Sequence, residues 1–332
     1  MCIAVQGAVP DGLVELSADL SDVLGQARAP STKIVYTRAF EKWKKWTTDY
    51  EDIRDLPADP LHVALYLTHL SKTAATFSSI NQAISAIAWA HGISGMDSPT
   101  GHIMVKETIN GLKRKLAKPC VRKEPFEPNH IRSFFDVLVN DSVSDLRNTT
   151  LIVLSFYALL RFDEVSRLKC KDISLSEDFV EIHIDRSKRD QLRQGDTVLV
   201  ASMGGKYCPV ELLINYLQLS VRCSGNNYEH FLFRRCITNN KKVVLTSTNT
   251  PMTYSSIRDI VKAKAVQIGL KASSFSTHSM RAGGATAAAN SSVSERALQR
   301  HGRWASSTSK DGYIKDKVDT RLSVSRAIAG TK

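Results

Sequence analysis

The 332-residue chain is 42% hydrophobic and 23% charged, a composition that leaves little room for extensive disorder and supplies material for about two hydrophobic cores. Its 45 Lys and Arg exceed its 33 Asp and Glu to give a net charge of +12, which points to a polyanionic partner, because each neutralised phosphate releases counterions. Cys2, Cys120, Cys170, Cys208, Cys223 and Cys236 are scattered and form no CxxC pair, which argues against a zinc site and for reduced thiols. No apolar run approaches the roughly 20 residues that span a bilayer, and the Gly- and Pro-interrupted start lacks the basic residues of a signal peptide, so a soluble protein with no membrane partner is expected.

After an N-terminal extension, residues 1–30, the spacing predicts four helices over 31–118. Ser31 is placed to cap the first, whose stripe is Ile34, Phe40, Trp43 and Tyr50. Asp59-Pro60 starts the second, carrying Leu61, Leu65 and Leu70, since proline is tolerated in a first turn. A third runs from about Ser78 with Ile80, Ile84 and Ile87 and stops at Gly92; a fourth covers about Ile103 to Leu116 and ends in LKRKLAKP. Their outer faces are basic. Lys42, Lys45, Lys113, Arg114 and Lys115 are candidates for backbone phosphate contacts, against the plainer reading of solvated lysines on a four-helix bundle. GLKRKLAK also reads as a weak nuclear import signal.

Residues 119–128, PCVRKEPFEP, have no period and read as a linker. The second domain, 129–332, opens with a helix near His130 to Leu138 and then the apolar run LIVLSFYALL. That run delivers Arg161 at its end, with Glu164 three residues on and so on the same helical face. An arginine directly after a buried helix is costly without an anionic partner. DFVEIHIDR alternates Val180, Ile182 and Ile184 against polar residues, and with DTVLVA it predicts a hairpin carrying Lys188 at its turn among Arg186, Arg189 and Arg193. Helices follow near Pro209 to Val221 and Ser255 to Ile268. The segment between, HFLFRRC and NNKKVVLT, reads either as a surface extending toward nucleic acid or as an insertion without a role.

Chemistry concentrates in Phe275 to Asp316, FSTHSMRAGGATAAANSSVSERALQRHGRWASSTSKDGYIKD. His278 stands three residues before Arg281; 23 residues on is Trp304, and nine further is Tyr313. Guanidinium offers a rigid fork of donors that matches phosphate oxygens, and a tyrosine hydroxyl can act as nucleophile. HxxR alone is weak and usually sits on a solvated helix face. Ser292 to Glu295 suggests a capping box for a short helix that Gly302 ends. Trp304 taken alone reads as core, and His301 competes with it as a phosphate donor. No GxGxxG or GxxxxGK[ST] is present, so no nucleotide cofactor is expected.

In order and spacing, Arg161 with Glu164, Lys188 27 residues after Arg161, His278-Ser-Met-Arg281, Trp304 and Tyr313 resemble the active-site signature of the tyrosine recombinase, or phage integrase-like, family. The resemblance is sharp over 151–317 and loose before. The GRW…YI form, with Trp where many relatives have His, resembles the recombinases of eukaryotic mobile elements and some phage enzymes. The resemblance implies a mainly α fold with a small antiparallel sheet, arranged as a helical core-binding domain and a catalytic domain that clamp double-stranded DNA. It implies Tyr313 as nucleophile in a 3′-phosphotyrosyl intermediate, Arg161, Arg281, His278 and Trp304 as charge stabilisers, and Lys188 on its hairpin as general acid. Glu164 would orient Arg161 or His278. No metal and no ATP are implied, since the broken bond's energy is kept in the phosphotyrosine. The tail past Tyr313, with Val318, Leu322, Val324 and Ile328, would dock on a neighbouring subunit of a homotetramer. A nuclear location follows from the mobile-element likeness. A type IB topoisomerase-like nicking-closing enzyme and a non-catalytic DNA-binding descendant remain alternatives.

Overall fold

One hydrophobic core forms within Met1–Val121, and a larger one with a small separate cluster forms within Arg122–Lys332. The computed structural model describes residues 10–119, 122–185, 195–224, 227–239 and 242–330.

The first unit is helical: α1 (Val14–Gln26), α2 (Pro30–Thr47), α3 (Pro60–Ser71), α4 (Phe77–Ile93) and α5 (Ile103–Lys115). Phe40, Trp43, Val63, Tyr66, Leu67, Ile80, Ile87, Val105 and Leu112 are buried together. Each such aliphatic or aromatic side chain taken from water stabilises the fold by about 1.5–3 kcal/mol. Several expectations are corrected. α2 begins on Pro30 after Ala29, not on a Ser31 cap, because proline's fixed φ and missing N–H suit the first turn. Ile34 is exposed, and Tyr50, also exposed, lies past the helix end. Asp59 does cap α3, its Oδ1 accepting from the Leu61 N–H at 2.7 Å. The face that α3 buries is Val63, Tyr66 and Leu67, leaving Leu61 and Leu65 exposed. That helix is apolar nearly all round, so its pattern could not select a face. His91 is fully buried: Nε2 accepts from the Ala58 N–H at 2.9 Å and Nδ1 donates to Ile87 O at 2.8 Å.

In the second unit α6 (Pro128–Asp136) leads to α7 (Val143–Tyr157), of which eleven residues are buried. α7 is buried on most sides, Arg147, Thr149 and Thr150 included, because it packs against α9 (Pro209–Ser224), α10 (Tyr254–Gln267) and α11 (His278–Ala289) at once. Short α8 (Phe162–Arg167) follows. A three-stranded antiparallel sheet, β1 (Ile173–Leu175), β2 (Phe179–Ile184) and β3 (Asp196–Ala201), pairs Ile173 with Ile182 and Ile182 with Val198. Val180, Ile182 and Ile184 face the core as the alternation predicts; three-residue β1 is too short to show a period. A second hairpin, β4 (Cys236–Asn239) and β5 (Lys242–Leu245), lies in the segment whose role was left open. Leu232, Phe233 and Arg234 just before it are buried, while Arg235 is exposed, so the middle of HFLFRRC belongs to the core.

The stretch read as linker is tied down in its second half. Glu124 and Phe126 donate their N–H groups to Ser274 O and Ser279 O at 2.8 and 3.0 Å, and the Phe126 ring stacks on Phe275 with centroids 4.5 Å apart. α11 passes so close that a Cβ at Gly283 would sit 2.1 Å from Phe126 O, and one at Gly284 2.1 Å from Phe156 O. The chain closes with α12 (Glu295–His301), α13 (Ser307–Asp311) and α14 (Val318–Ile328). The cap of α12 is Ser294, whose Oγ accepts from the Ala297 N–H at 3.3 Å; Ser292 instead takes a left-handed φ of 59°, and the Glu295 carboxylate accepts from Lys310. No residue of α14 is buried.

Candidate active site

The end of α7 organises the site. The chain leaves the helix at Tyr157 and reverses through Leu159, which holds a left-handed φ of 48° that costs about 1–3 kcal/mol and so needs surrounding support. Arg161 follows as the N-cap of α8, and Glu164 reaches back to it. One carboxylate oxygen, Oε2, accepts from the Arg161 backbone N–H at 2.7 Å, and Oε1 accepts from Arg161 Nη1 at 2.6 Å. The fully buried glutamate is thus the anionic partner that the arginine's position demanded. Of the two partners expected for it, Arg161 is the one it bonds directly. Burial pushes its carboxyl up, but Arg303 and then Arg161 outweigh burial and hold it below the ordinary range.

Arg281, in the first turn of α11, is fully buried and donates through its two terminal nitrogens to Leu159 O and Gly302 O. Its guanidinium carbon lies 4.5 Å from the Trp304 ring centroid and 5.2 Å from that of Tyr313. Burial and the neighbouring Arg161 lower its pKa to about 9, which leaves it cationic at neutral pH. Arg281 Nε and Trp304 Nε1 are both buried and find no acceptor among the described residues, and the neighbouring Arg303 Nε is in the same condition. The Trp304 and Tyr313 rings are 5.7 Å apart, and exposed His278 has its ring 6.4 Å from that of half-buried Tyr313. An open groove of about 600 Å³ runs in front, lined among others by Arg122, Lys123, Ser276, His278, Tyr313 and Lys315.

Arg161, Glu164, His278, Arg281, Trp304 and Tyr313 are therefore gathered in one place. Lys188 lies outside the described residues, as do Arg186, Arg189 and Arg193; β2 and β3 flank that stretch. His301 is not interchangeable with Trp304. Its Nε2 contacts Tyr157 O at 2.8 Å, and burial pushes its pKa down, so it is neutral and tied to the backbone. Sequence reasoning missed Arg303. Its side chain, 4% exposed, donates to Glu164 Oε2 at 2.8 Å and to the carbonyls of Leu159 and His301 at 3.1 and 2.9 Å. The only local sign of it was the GRW tripeptide, read for its tryptophan alone. Three guanidinium groups thus surround one carboxylate, an excess of two positive charges in a dry setting. Such a cluster is suited to a phosphodiester anion and to the added charge of its transition state. Among the described residues no group of His, Cys, Asp and Glu is arranged to hold a metal ion. Lys42, Lys45, Lys113, Arg114 and Lys115 are all exposed on the first unit.

The model of the phage integrase family matches residues 124–319, more than half the chain and all six gathered residues. The chain belongs to the phage integrase family. Over 295 residues it is 26% identical to the integrase/recombinase xerD homolog of Selenomonas ruminantium, covering 88% of this chain and 83% of that one. Over another 295 it is 25% identical to the recombinase cre of Escherichia phage P1, covering 82% of this chain and 80% of that one. Among solved structures, XerH site-specific recombinase in a post-cleavage complex with palindromic difH substrate superposes with a TM-score of 0.61 at 16% identity, over 89% of this chain and 80% of that one. The expected fold class holds, helical with small antiparallel sheets. This tyrosine recombinase is a DNA strand transferase that cuts and rejoins DNA through a tyrosine, independently of ATP and metal. No helix among the described residues is long and apolar enough to cross a membrane.

Proposed function

We propose that Tyr313 is the nucleophile and that the residues gathered around it divide the work of one phosphoryl transfer. Tyr313 Oη attacks the scissile phosphorus, a 3′-phosphotyrosyl bond forms, and the bond to the 5′ oxygen breaks. His278, exposed beside the tyrosine, takes the phenolic proton, and Lys188 gives one to the departing 5′ oxygen. Arg161, Arg281 and the Trp304 N–H hold the non-bridging oxygens, and Glu164 holds Arg161. The 5′ hydroxyl of a partner strand then reverses the attack. The observation that carries this reading is the buried Arg281 guanidinium packed against the rings of both Trp304 and Tyr313, with its own Nε and the indole N–H facing no protein acceptor.

The same reading extends to partners. Exchange between two duplexes needs four strand cleavages and so four tyrosines, which supports a homotetramer on double-stranded DNA. The apolar residues of α14, all exposed, support that tail as the link between subunits. Exposed Lys42, Lys45, Lys113, Arg114 and Lys115 support backbone contacts from the first unit. The GRW form and the basic end of α5 support a mobile-element enzyme that works in a nucleus; a reporter carrying residues 111–118 that stays out of nuclei would refute the import signal.

The test is covalent trapping. Wild type and Tyr313→Phe are incubated without metal with a pool of nicked, randomised duplexes, and denaturant-resistant adducts are collected. An adduct from wild type alone is expected, and sequencing its DNA gives the site. An adduct from Tyr313→Phe as well would refute the nucleophile, and binding by both without any adduct would refute the catalytic reading.

A further inference from the structure

The tripeptide Gly302-Arg303-Trp304 puts an arginine between the residue that ends α12 and the indole that faces the site. Its backbone lies at φ 55°, in the left-handed region where glycine is at ease and a side chain is strained. Something the side chain does must offset that strain. Arg303 and the Arg161 backbone N–H both bond Glu164 Oε2, at 2.8 and 2.7 Å, while Oε1 takes Arg161 Nη1. Arg281 Nη1 stands 4.0 Å from the same Oε2, close enough to pair with it after a small rotation of the carboxylate.

We propose that Arg303 is a positioning residue: it locks the Glu164 carboxylate onto Arg161 and keeps it off Arg281, so that the Arg281 charge stays available to the phosphate. The inference rests on the roles proposed above for Arg161, Arg281 and Tyr313. A carboxylate with three of its roughly four acceptor positions filled is fixed in its plane. Without Arg303, Oε2 turns to Arg281, the pair forms a fork-to-fork contact, and the phosphate loses the cation nearest the tyrosine. The Arg303 charge and the three contacts from Arg161 together hold Glu164 ionised against its burial, so the residue that sequence reasoning missed shares this task with the one it predicted. Arg303 also donates to the Leu159 and His301 carbonyls, which anchors its guanidinium independently of the glutamate.

The experiment is a double-mutant cycle read by single-turnover adduct formation on a nicked duplex recovered from the randomised pool, with duplex affinity measured alongside. Arg303→Met is expected to slow adduct formation by roughly 30-fold at saturating DNA with little change in Kd, and Arg303→Lys to recover to within about fivefold of wild type. In a Glu164→Gln background Arg303→Met is expected to change the rate by less than about threefold, because an uncharged amide has no ion pair to make with Arg281. Recovery by lysine separates the effect from loss of fold. Equal losses in both backgrounds, an unchanged rate in Arg303→Met, or a loss carried in Kd would each overturn the proposal. Absence of an adduct from wild type would instead overturn the site assignment beneath it.

Discussion

Trp304 serves the site through one N–H and the fold through its whole ring, and substitution separates the two. Trp304→Phe keeps an aromatic ring and removes the donor, so adduct formation should slow by about 100-fold, as when one oxyanion donor is lost, with Tm nearly unchanged. Trp304→Ala leaves a cavity among Leu159, Ala285 and Leu298 and should cost about 3–5 kcal/mol in urea unfolding. Equal losses of stability in the two variants would contradict this division. At this scale His278, Arg281, Arg161, Glu164, Trp304 and Tyr313 were legible because each type is chemically singular and their spacings combine. Arg303 was not, since a cation beside a surface turn reads as solvated, and its partners Glu164 and Leu159 lie about 140 residues earlier in the chain. The resemblance favoured Trp304 over its rival His301 before the Tyr157 carbonyl was seen to hold the imidazole.

α7 and α11 meet through bare backbone. Gly284→Ala would drive a methyl to within 2.1 Å of Phe156 O, an atom of a helix that cannot yield, so the helices must separate. A loss of about 1–3 kcal/mol is expected from chemical unfolding, with adduct formation falling too because Arg281 rides on α11. A stable, active Gly284→Ala would show that the packing has slack. Two imidazoles, buried His91 and half-buried His301, give each unit a pH response. Burial lowers the pKa of both His91 and His301 below the ordinary 6.5. The unfolded chain then binds more protons than the folded one once pH falls through 6.5, so stability falls from there down to the lowered folded values. The urea midpoint should therefore be lower at pH 5.5 than at 7.5, and His91→Gln should flatten the first unit's share of that change. Elements with a clear period were legible, including the β2–β3 hairpin and buried α7. The inward face of α3 and the cap of α12 were not, because apolar residues all round one helix and serines at both 292 and 294 offer equivalent local choices.

Each unit forms a core of its own among the described residues, and the chain's basic excess and length foretold a large anionic partner and more than one core without locating either. α14 contributes nothing to either core. Removing residues 318–330 should leave Tm within a degree or two, while four-subunit complexes on paired duplexes, counted by light scattering, should disappear; a large drop in Tm would place the tail in its own subunit's fold instead. The C-terminal end of α7 joins the fold to the site. Its last carbonyls and those just beyond, at Tyr157, Ala158 and Leu159, receive His301, Arg303 and Arg281. The negative end of a helix macrodipole, equivalent to about half an elementary charge, thus lies against the cations. A dipole built into the backbone cannot diffuse away. Part of the arginines' charge is thus balanced by that dipole and by Glu164, groups that stay in place when a DNA phosphate arrives.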